Sequence, residues 1–287
     1  MFNEKKVKEI ILSVLVADSY SLGAHWIYDE KKLQTLDINW EELNAPQAIW
    51  HKGKVAGEFT HYGDQTLWLY QFIKDKESFD LQEYIDFWKT KMEIYGGYID
   101  SASKNTLENI EKGISPTGSN STDLSIVGRI APLLLVSKDK DEFLNNVEVF
   151  IKASHNSYEA TTSGKFFAKL LLEVLGGKTI QEAISFLRED FDMKIQSYIV
   201  DGSSSNDKDS FVAIRDFGPA CDINGGFEGV MHLLAKYDNL KEMLINNAKA
   251  GGDSSARGMV ATMIFMAQED KTLSQIPSSW LNIKAVI

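Results

Sequence analysis

The apolar residues of this chain recur at helical spacing, and little interrupts them: only five prolines occur in 287 residues. Proline breaks helix interiors, while half-buried strands announce themselves by strict alternation. Val7, Ile10, Ile11, Val14 and Leu15 mark one face of a first helix. Asp80 with Glu83, and Thr179 with Glu182, carry the capping-box spacing ahead of further apolar faces. Phe166, Phe167, Leu170, Leu171, Val174 and Leu175 form a helix closed by Gly176-Gly177, a C-cap signal. Val230, Leu233 and Leu234 follow Gly225-Gly226, and Met259, Val260, Met263, Ile264 and Met266 mark a late helix. No run reads as a hairpin. The pattern predicts an all-α chain of roughly ten or more helices, with no internal repeat and one domain over residues 1–287.

Composition narrows the function classes. A hydrophobic fraction of 44% suits a soluble globule with a sizeable core. A net charge of −11 argues against a nucleic-acid-binding surface. The apolar run from Ile10 to Ala17 is too short to span a membrane, and no cleavage site follows it. A single cysteine, Cys221, forbids an internal disulfide and fits a reducing compartment. A cytoplasmic protein is expected.

Two distant segments read as halves of one site: Gly63-Asp64-Gln65-Thr66 and Gly251-Gly252-Asp253-Ser254-Ser255-Ala256-Arg257. Each sets a carboxylate and hydroxyls after glycine at the expected start of a helix, where free backbone N–H groups suit anions. Brought together, they would form a pocket with Asp64 and Asp253 as catalytic carboxylates and Gln65, Thr66, Ser254 and Ser255 as hydrogen-bonding partners of a polar substrate.

Five pieces in order resemble the ADP-ribosylglycohydrolase family, in particular its branch similar to J1 crystallin. Residues 17–29, Ala17 to Asp29, resemble the N-terminal signature. Gly63-Asp64-Gln65-Thr66 resembles the Gly-Asp-Asp-Thr motif. Arg129-Ile130-Ala131-Pro132-Leu133 matches an Arg-x-x-Pro-Leu element, and Ser154-His155 with Glu159-Ala160 resembles a Thr-His-x-His-Pro-Glu-Ala segment. Gly251-Gly252-Asp253 opens the closing Gly-Gly-Asp-x-Asp-Thr motif. The resemblance implies an orthogonal multi-helix bundle with a central cleft. It also implies hydrolysis of the bond joining ADP-ribose to a side chain or small acceptor, with two magnesium or manganese ions on the motif oxygens.

The motif substitutions oppose that metal pair. Gln65, Ser255 and Ala256 stand where the family has aspartate, aspartate and threonine. Asp64 and Asp253 alone cannot balance two divalent cations, and Arg257, one turn beyond Asp253, adds a permanent positive charge. One reading has Arg257 replace a metal by pairing with Asp64 or Asp253 and binding a phosphate; the other leaves it on the surface, paired within its helix. Metal ligation by Asp64 and Asp253 is correspondingly doubtful.

The remaining candidates carry paired readings. His25 could stack on an adenine or ribose, whereas Trp26 reads as core. Asp18, inside an apolar helix, either reaches the site or braces neighbouring helices. His61 could carry a proton beside the motif, or hold structure. Ser119, Asn120 and Ser121, with Arg129, could hold a ribose or phosphate, or form an exposed loop like that of Gly202 to Ser210. His155 is expected at a helix connection, and Cys221 as a buried thiol. Two function classes follow: a hydrolase of an N- or O-glycosidic bond in an ADP-ribosylated or related ribosyl substrate, and a ligand-binding or crystallin-like protein without turnover. A helical interaction scaffold is a third.

Overall fold

A computed structural model describes residues 2–287 and shows an all-α protein. Thirteen α-helices follow one another among the described residues. The first seven are α1 (Glu4–Ser21), α2 (Glu30–Gln34), α3 (His61–Ile73), α4 (Leu81–Glu93), α5 (Ser101–Glu111), α6 (Lys140–Ser154) and α7 (Tyr158–Leu175). The remainder are α8 (Ile180–Leu187), α9 (Met193–Ser203), α10 (Ser210–Phe217), α11 (Ile223–Lys236), α12 (Leu240–Lys249) and α13 (Ser254–Ala267). Two consecutive 3₁₀ helices, Leu124–Arg129 and Ala131–Val136, run between α5 and α6.

Side-chain caps set the helix starts. Asp80 caps α4 by accepting from the Glu83 backbone N–H at 2.8 Å. Thr179 and Glu182 close a full capping box on α8, and Gly176 ends α7 as its spacing predicts. At α3 the start lies earlier than the glycine suggests. Thr60 is the cap, so Gly63 and Asp64 sit inside the first turn. At α11 a left-handed Gly225 kinks the chain, and its ideal Cβ would lie 2.4 Å from the Phe217 carbonyl oxygen.

The core centres on α13, every residue of which is buried. It packs most extensively on α1 and also on α11, α12, α7 and the Leu124–Arg129 segment. A helix apolar on all sides belongs in the middle of a bundle rather than on its surface. Its polar N-terminal turn is therefore buried with it, among the loops that surround Asp253. No described helix is long and apolar enough to cross a membrane. The Gly202–Ser210 segment departs from a plain solvated loop: Ser205 and Ser210 are buried, bonded to opposite nitrogens of His232 at 2.7 and 2.8 Å.

Candidate functional site

Three stretches of loop converge on the start of α13. Gly252 pairs with Ile27: its N–H donates to the Ile27 carbonyl at 2.8 Å, and its own carbonyl accepts from Trp26 at 2.7 Å. The Asp253 N–H donates to the Pro219 carbonyl at 2.7 Å. Residues 122–124 pair with 221–223 through Leu124 N–H to Cys221 O and Ile223 N–H to Thr122 O. Gly252 has φ +60°, and an ideal Cβ there would lie 2.0 Å from the Pro219 oxygen, so only glycine fits the crossing. Trp26 adopts φ 61°, an uncommon conformation for a bulky residue, directly against this crossing.

The crossing buries Asp253 beside a second carboxylate. Asp253 caps α13 by accepting from the Ala256 N–H at 3.0 Å through Oδ1. The Tyr62 hydroxyl lies 3.0 Å from Asp253 Oδ2 and 3.2 Å from Asp123 Oδ2. One ligating atom each from Asp123, Cys221 and Asp253 lies within 4.8 Å of the others. Burial, together with the charges of Asp253 and Asp100, pushes the Asp123 carboxyl up to about 6. Burial likewise raises the Asp253 carboxyl and the Cys221 thiol, the latter further through both aspartates. Burial raises the Tyr62 hydroxyl well above its usual range, so it remains a donor. A phenol has one hydrogen. Bonding both carboxylates through it requires one carboxyl to be protonated and to donate to the phenol oxygen, so the geometry is fully satisfied by one proton shared across the pair.

A histidine layer lies behind this pair. His25 is wholly buried with neither ring nitrogen hydrogen-bonded, and its Nδ1 stands 3.5 Å from Asp253 Oδ1. His51 Nε2 lies 3.2 Å from His61 Nδ1, and His61 Nε2 lies 3.1 Å from Asp100 Oδ2. Burial holds the His25 ring well below its usual pKa and lowers His51 to about 3. Burial alone would raise Asp100, but the His61 contact and the nearby Arg129 charge outweigh it and hold the carboxyl low. Trp26 stacks on His25 with ring centroids 4.8 Å apart, Tyr98 meets His61 and Trp26 edge-on, and half-exposed Trp50 packs edge-on against Trp26 and Tyr98.

The first motif faces different partners. Asp64 Oδ2 receives the Lys54 ammonium and the Tyr95 hydroxyl, each at 2.5 Å. It shares no bonded partner with Asp253 and joins no group of three metal-capable His, Cys, Asp or Glu side chains among the described residues. Gln65 is buried, its Oε1 accepting from Trp88 and Arg129 at 3.0 and 2.9 Å. The Thr66 hydroxyl bonds back to the Tyr62 carbonyl. Ser255 donates to Asp18, which also accepts the Thr60 hydroxyl and N–H at 2.6 and 2.8 Å. Asp18 thus braces α1, α3 and α13 together. Ser254 is buried with its hydroxyl unbonded, while its carbonyl accepts from Asn247 at 2.7 Å.

Arg257 departs from both sequence readings. It is neither on the surface nor in an ion pair with Asp64 or Asp253. Its guanidinium is wholly buried and donates to Asn247 Oδ1, the Pro219 carbonyl and the Gly251 carbonyl at 3.1, 3.2 and 2.6 Å. Desolvation pushes its pKa down to about 10. It holds the crossing of the two loops in register, and the cation at the first motif is Lys54 instead. Magnesium or manganese oxygens shared between the two motifs do not fit this arrangement, because an ammonium already neutralises Asp64 and both replacement side chains, Gln65 and Ser255, are bonded into the core.

The small-residue loop is partly committed as well. Ser119 is buried and donates to the Ser154 carbonyl, and its backbone pairs with His155. Asn120 is exposed, and Ser121 Oγ accepts from the Asp123 N–H at 3.2 Å. Arg129 turns inward to Gln65 and Ser125, away from a phosphate-binding role. Sequence reasoning missed Asp123, Asp100, Lys54 and Tyr95. A cap signature was present for two of them: Asp123 accepts from the Ser125 N–H, and Asp100 from the Ser103 N–H. Cys221, expected as a plain buried thiol, is only partly buried and faces both carboxylates.

The sequence model of the ADP-ribosylglycohydrolase family matches residues 2–283. Crystallin J1A and crystallin J1B of Tripedalia cystophora are each 21% identical to the chain, with 96% of this chain and 91% of each crystallin covered. A solved structure described as an ADP-ribosylglycohydrolase-related protein complex superposes with a TM-score of 0.72 at 17% identity. The match covers 96% of this chain and 90% of that one, a likeness of fold.

Proposed function

The chain belongs to the ADP-ribosylglycohydrolase family, and from that premise we propose that it hydrolyses an N- or O-glycosidic bond of an ADP-ribosylated or related ribosyl substrate, with Asp123 and Asp253 as the working carboxylates. The observation that carries this reading is the Tyr62 hydroxyl lying within hydrogen-bonding distance of both. Glycoside hydrolysis needs one carboxyl that keeps a proton and one that stays ionised. Asp123, the more accessible of the two, with its pKa raised to about 6, suits the acid. It would protonate the leaving nitrogen or oxygen as the bond to the anomeric carbon breaks. Asp253, supported by the Ala256 N–H and Tyr62, would offset the positive charge developing on the ribosyl ring and orient the water that adds there. Tyr62 would return the proton between the two. Asp64, the first candidate from sequence, would hold Lys54 in position.

A second reading, ligand binding without turnover, draws on the similarity to J1 crystallins and on the motif side chains bonded into the core. A panel of ADP-ribosyl and ribosyl conjugates, assayed chromatographically for released sugar, separates the two. Release that is lost in Asp123→Asn supports the hydrolase. A rise in melting temperature with ADP-ribose, and no release from any conjugate, supports the binding protein.

A further inference from the structure

The motif oxygens do not fit a magnesium pair, but a different donor set stands where the loops cross. Asp123, Cys221 and Asp253 place two carboxylate oxygens and a sulfur within 4.8 Å of one another. His25, from a fourth stretch of chain, adds an imidazole whose Nδ1 is 3.5 Å from Asp253 Oδ1. That ring is wholly buried with both nitrogens unbonded, an unusual expense in a core where buried polar atoms are nearly always paired. We propose that Asp123, Cys221 and Asp253, with His25 behind them, form a site for one borderline-soft divalent cation of the zinc class.

The donor chemistry chooses the ion. Magnesium and calcium take oxygen ligands, whereas sulfur and imidazole select zinc, cobalt and their neighbours. Zinc bonds of about 2.0–2.3 Å put tetrahedral donors roughly 3.5 Å apart. Asp123 and Cys221 are only partly buried, so small side-chain rotations can close the remaining gap. Charge agrees: deprotonated, the three groups are anionic, and Arg257, whose charge reaches Asp253, forms no ion pair with it and donates to carbonyls and Asn247. Burial and mutual repulsion favour the protonated forms of the three groups, so a cation binding there would displace protons. Cation and shared proton compete for the same oxygens, so filling the site would silence the acid proposed above. The cation site itself does not depend on turnover.

Cysteine usage makes the test unambiguous. With one cysteine in the chain, a thiolate-to-cobalt charge-transfer band can arise only at Cys221. The full-length protein, stripped by chelator, is titrated with Co²⁺ at mildly alkaline pH and read by near-ultraviolet absorbance. The expected result is a band that saturates at one equivalent, persists in excess Mg²⁺ and disappears in Cys221→Ser. Asp123→Asn, checked for native circular dichroism, should weaken binding about tenfold or more. Absence of the band in the wild-type protein overturns the proposal, and so does a band whose midpoint Asp123→Asn leaves unchanged. No substrate is present, so failure here leaves the hydrolase reading intact, and absence of turnover leaves the cation site intact.

Discussion

Two glycine-led carboxylates, Asp64 and Asp253, look alike in sequence and live in opposite electrostatic surroundings. Asp64, in the first turn of α3, is partly exposed and neutralised by Lys54 at 2.5 Å. Asp253, at the cap of α13, is wholly buried beside a second carboxylate and a thiol, with a phenol between the acids. The first has a cation and needs nothing more. The second is rich in negative charge and shares one proton with Asp123 or, as proposed, binds a metal ion. A motif position does not by itself assign a chemical role; the groups that converge on it do.

Turnover separates the two carboxylates most directly. On the conjugate identified by the panel, Asp253→Asn and Asp123→Asn should each lower kcat by roughly a thousandfold, while Asp64→Asn should cost under about tenfold. The reverse ranking would return catalysis to α3. Next in size is the loop crossing. Gly252→Ala should cost about 3 kcal/mol in urea unfolding, because its new Cβ meets the Pro219 oxygen at 2.0 Å in a left-handed conformation. Unchanged stability would show that the crossing is loose.

A smaller effect separates the two carboxylates by pH. The Asp123 carboxyl is raised from 3.8 to about 6 in the fold. Its favourable contribution is therefore present below about 3.8 and lost as pH rises through about 6. Asp123→Asn should then gain a few degrees in melting temperature over wild type above that window and lose the gain below it. The smallest effect is expected at the first motif. Lys54→Gln should cost about 1 kcal/mol, because Tyr95 still donates to Asp64 and both side chains keep some contact with water, and should show no such gain above the window. Buried histidines give an opposite trend common to all variants. His51 and His155, both lowered to about 3 chiefly by burial, stabilise the fold above 6.5 and cease to as pH falls toward 3.

Helical class, the capping of α4 and α8, the end of α7 and the family were legible because their causes are local: spacing, caps and short ordered motifs. Asp253 at the mouth of α13 was legible for the same reason. The partner of Asp253 was not. Asp123 is 130 residues away (253 minus 123) and reads locally as a cap, with nothing in its neighbours to say that it faces Asp253. Arg257 shows the same limit from the other side. Its spacing from Asp253 is right for a helical pair, yet burial of all of α13 sends the guanidinium to three acceptors on neighbouring segments. An arginine without water must satisfy its donors wherever acceptors lie.

Local sequence dictates that this chain is helical, where α4, α8 and α13 begin and where α7 ends, which family it belongs to, and that its motifs lack the carboxylates for a metal pair. Those properties depend on neighbours within one or two helical turns or on the order of short motifs. Tertiary structure alone decided that Lys54 neutralises Asp64, that Arg257 pins two loops, and that Asp123, Cys221 and Asp253 meet around Tyr62. The physical reason is that ionisation and ligation depend on charges and dipoles a few ångströms away in space, and a bundle brings those together from segments that chain order keeps far apart.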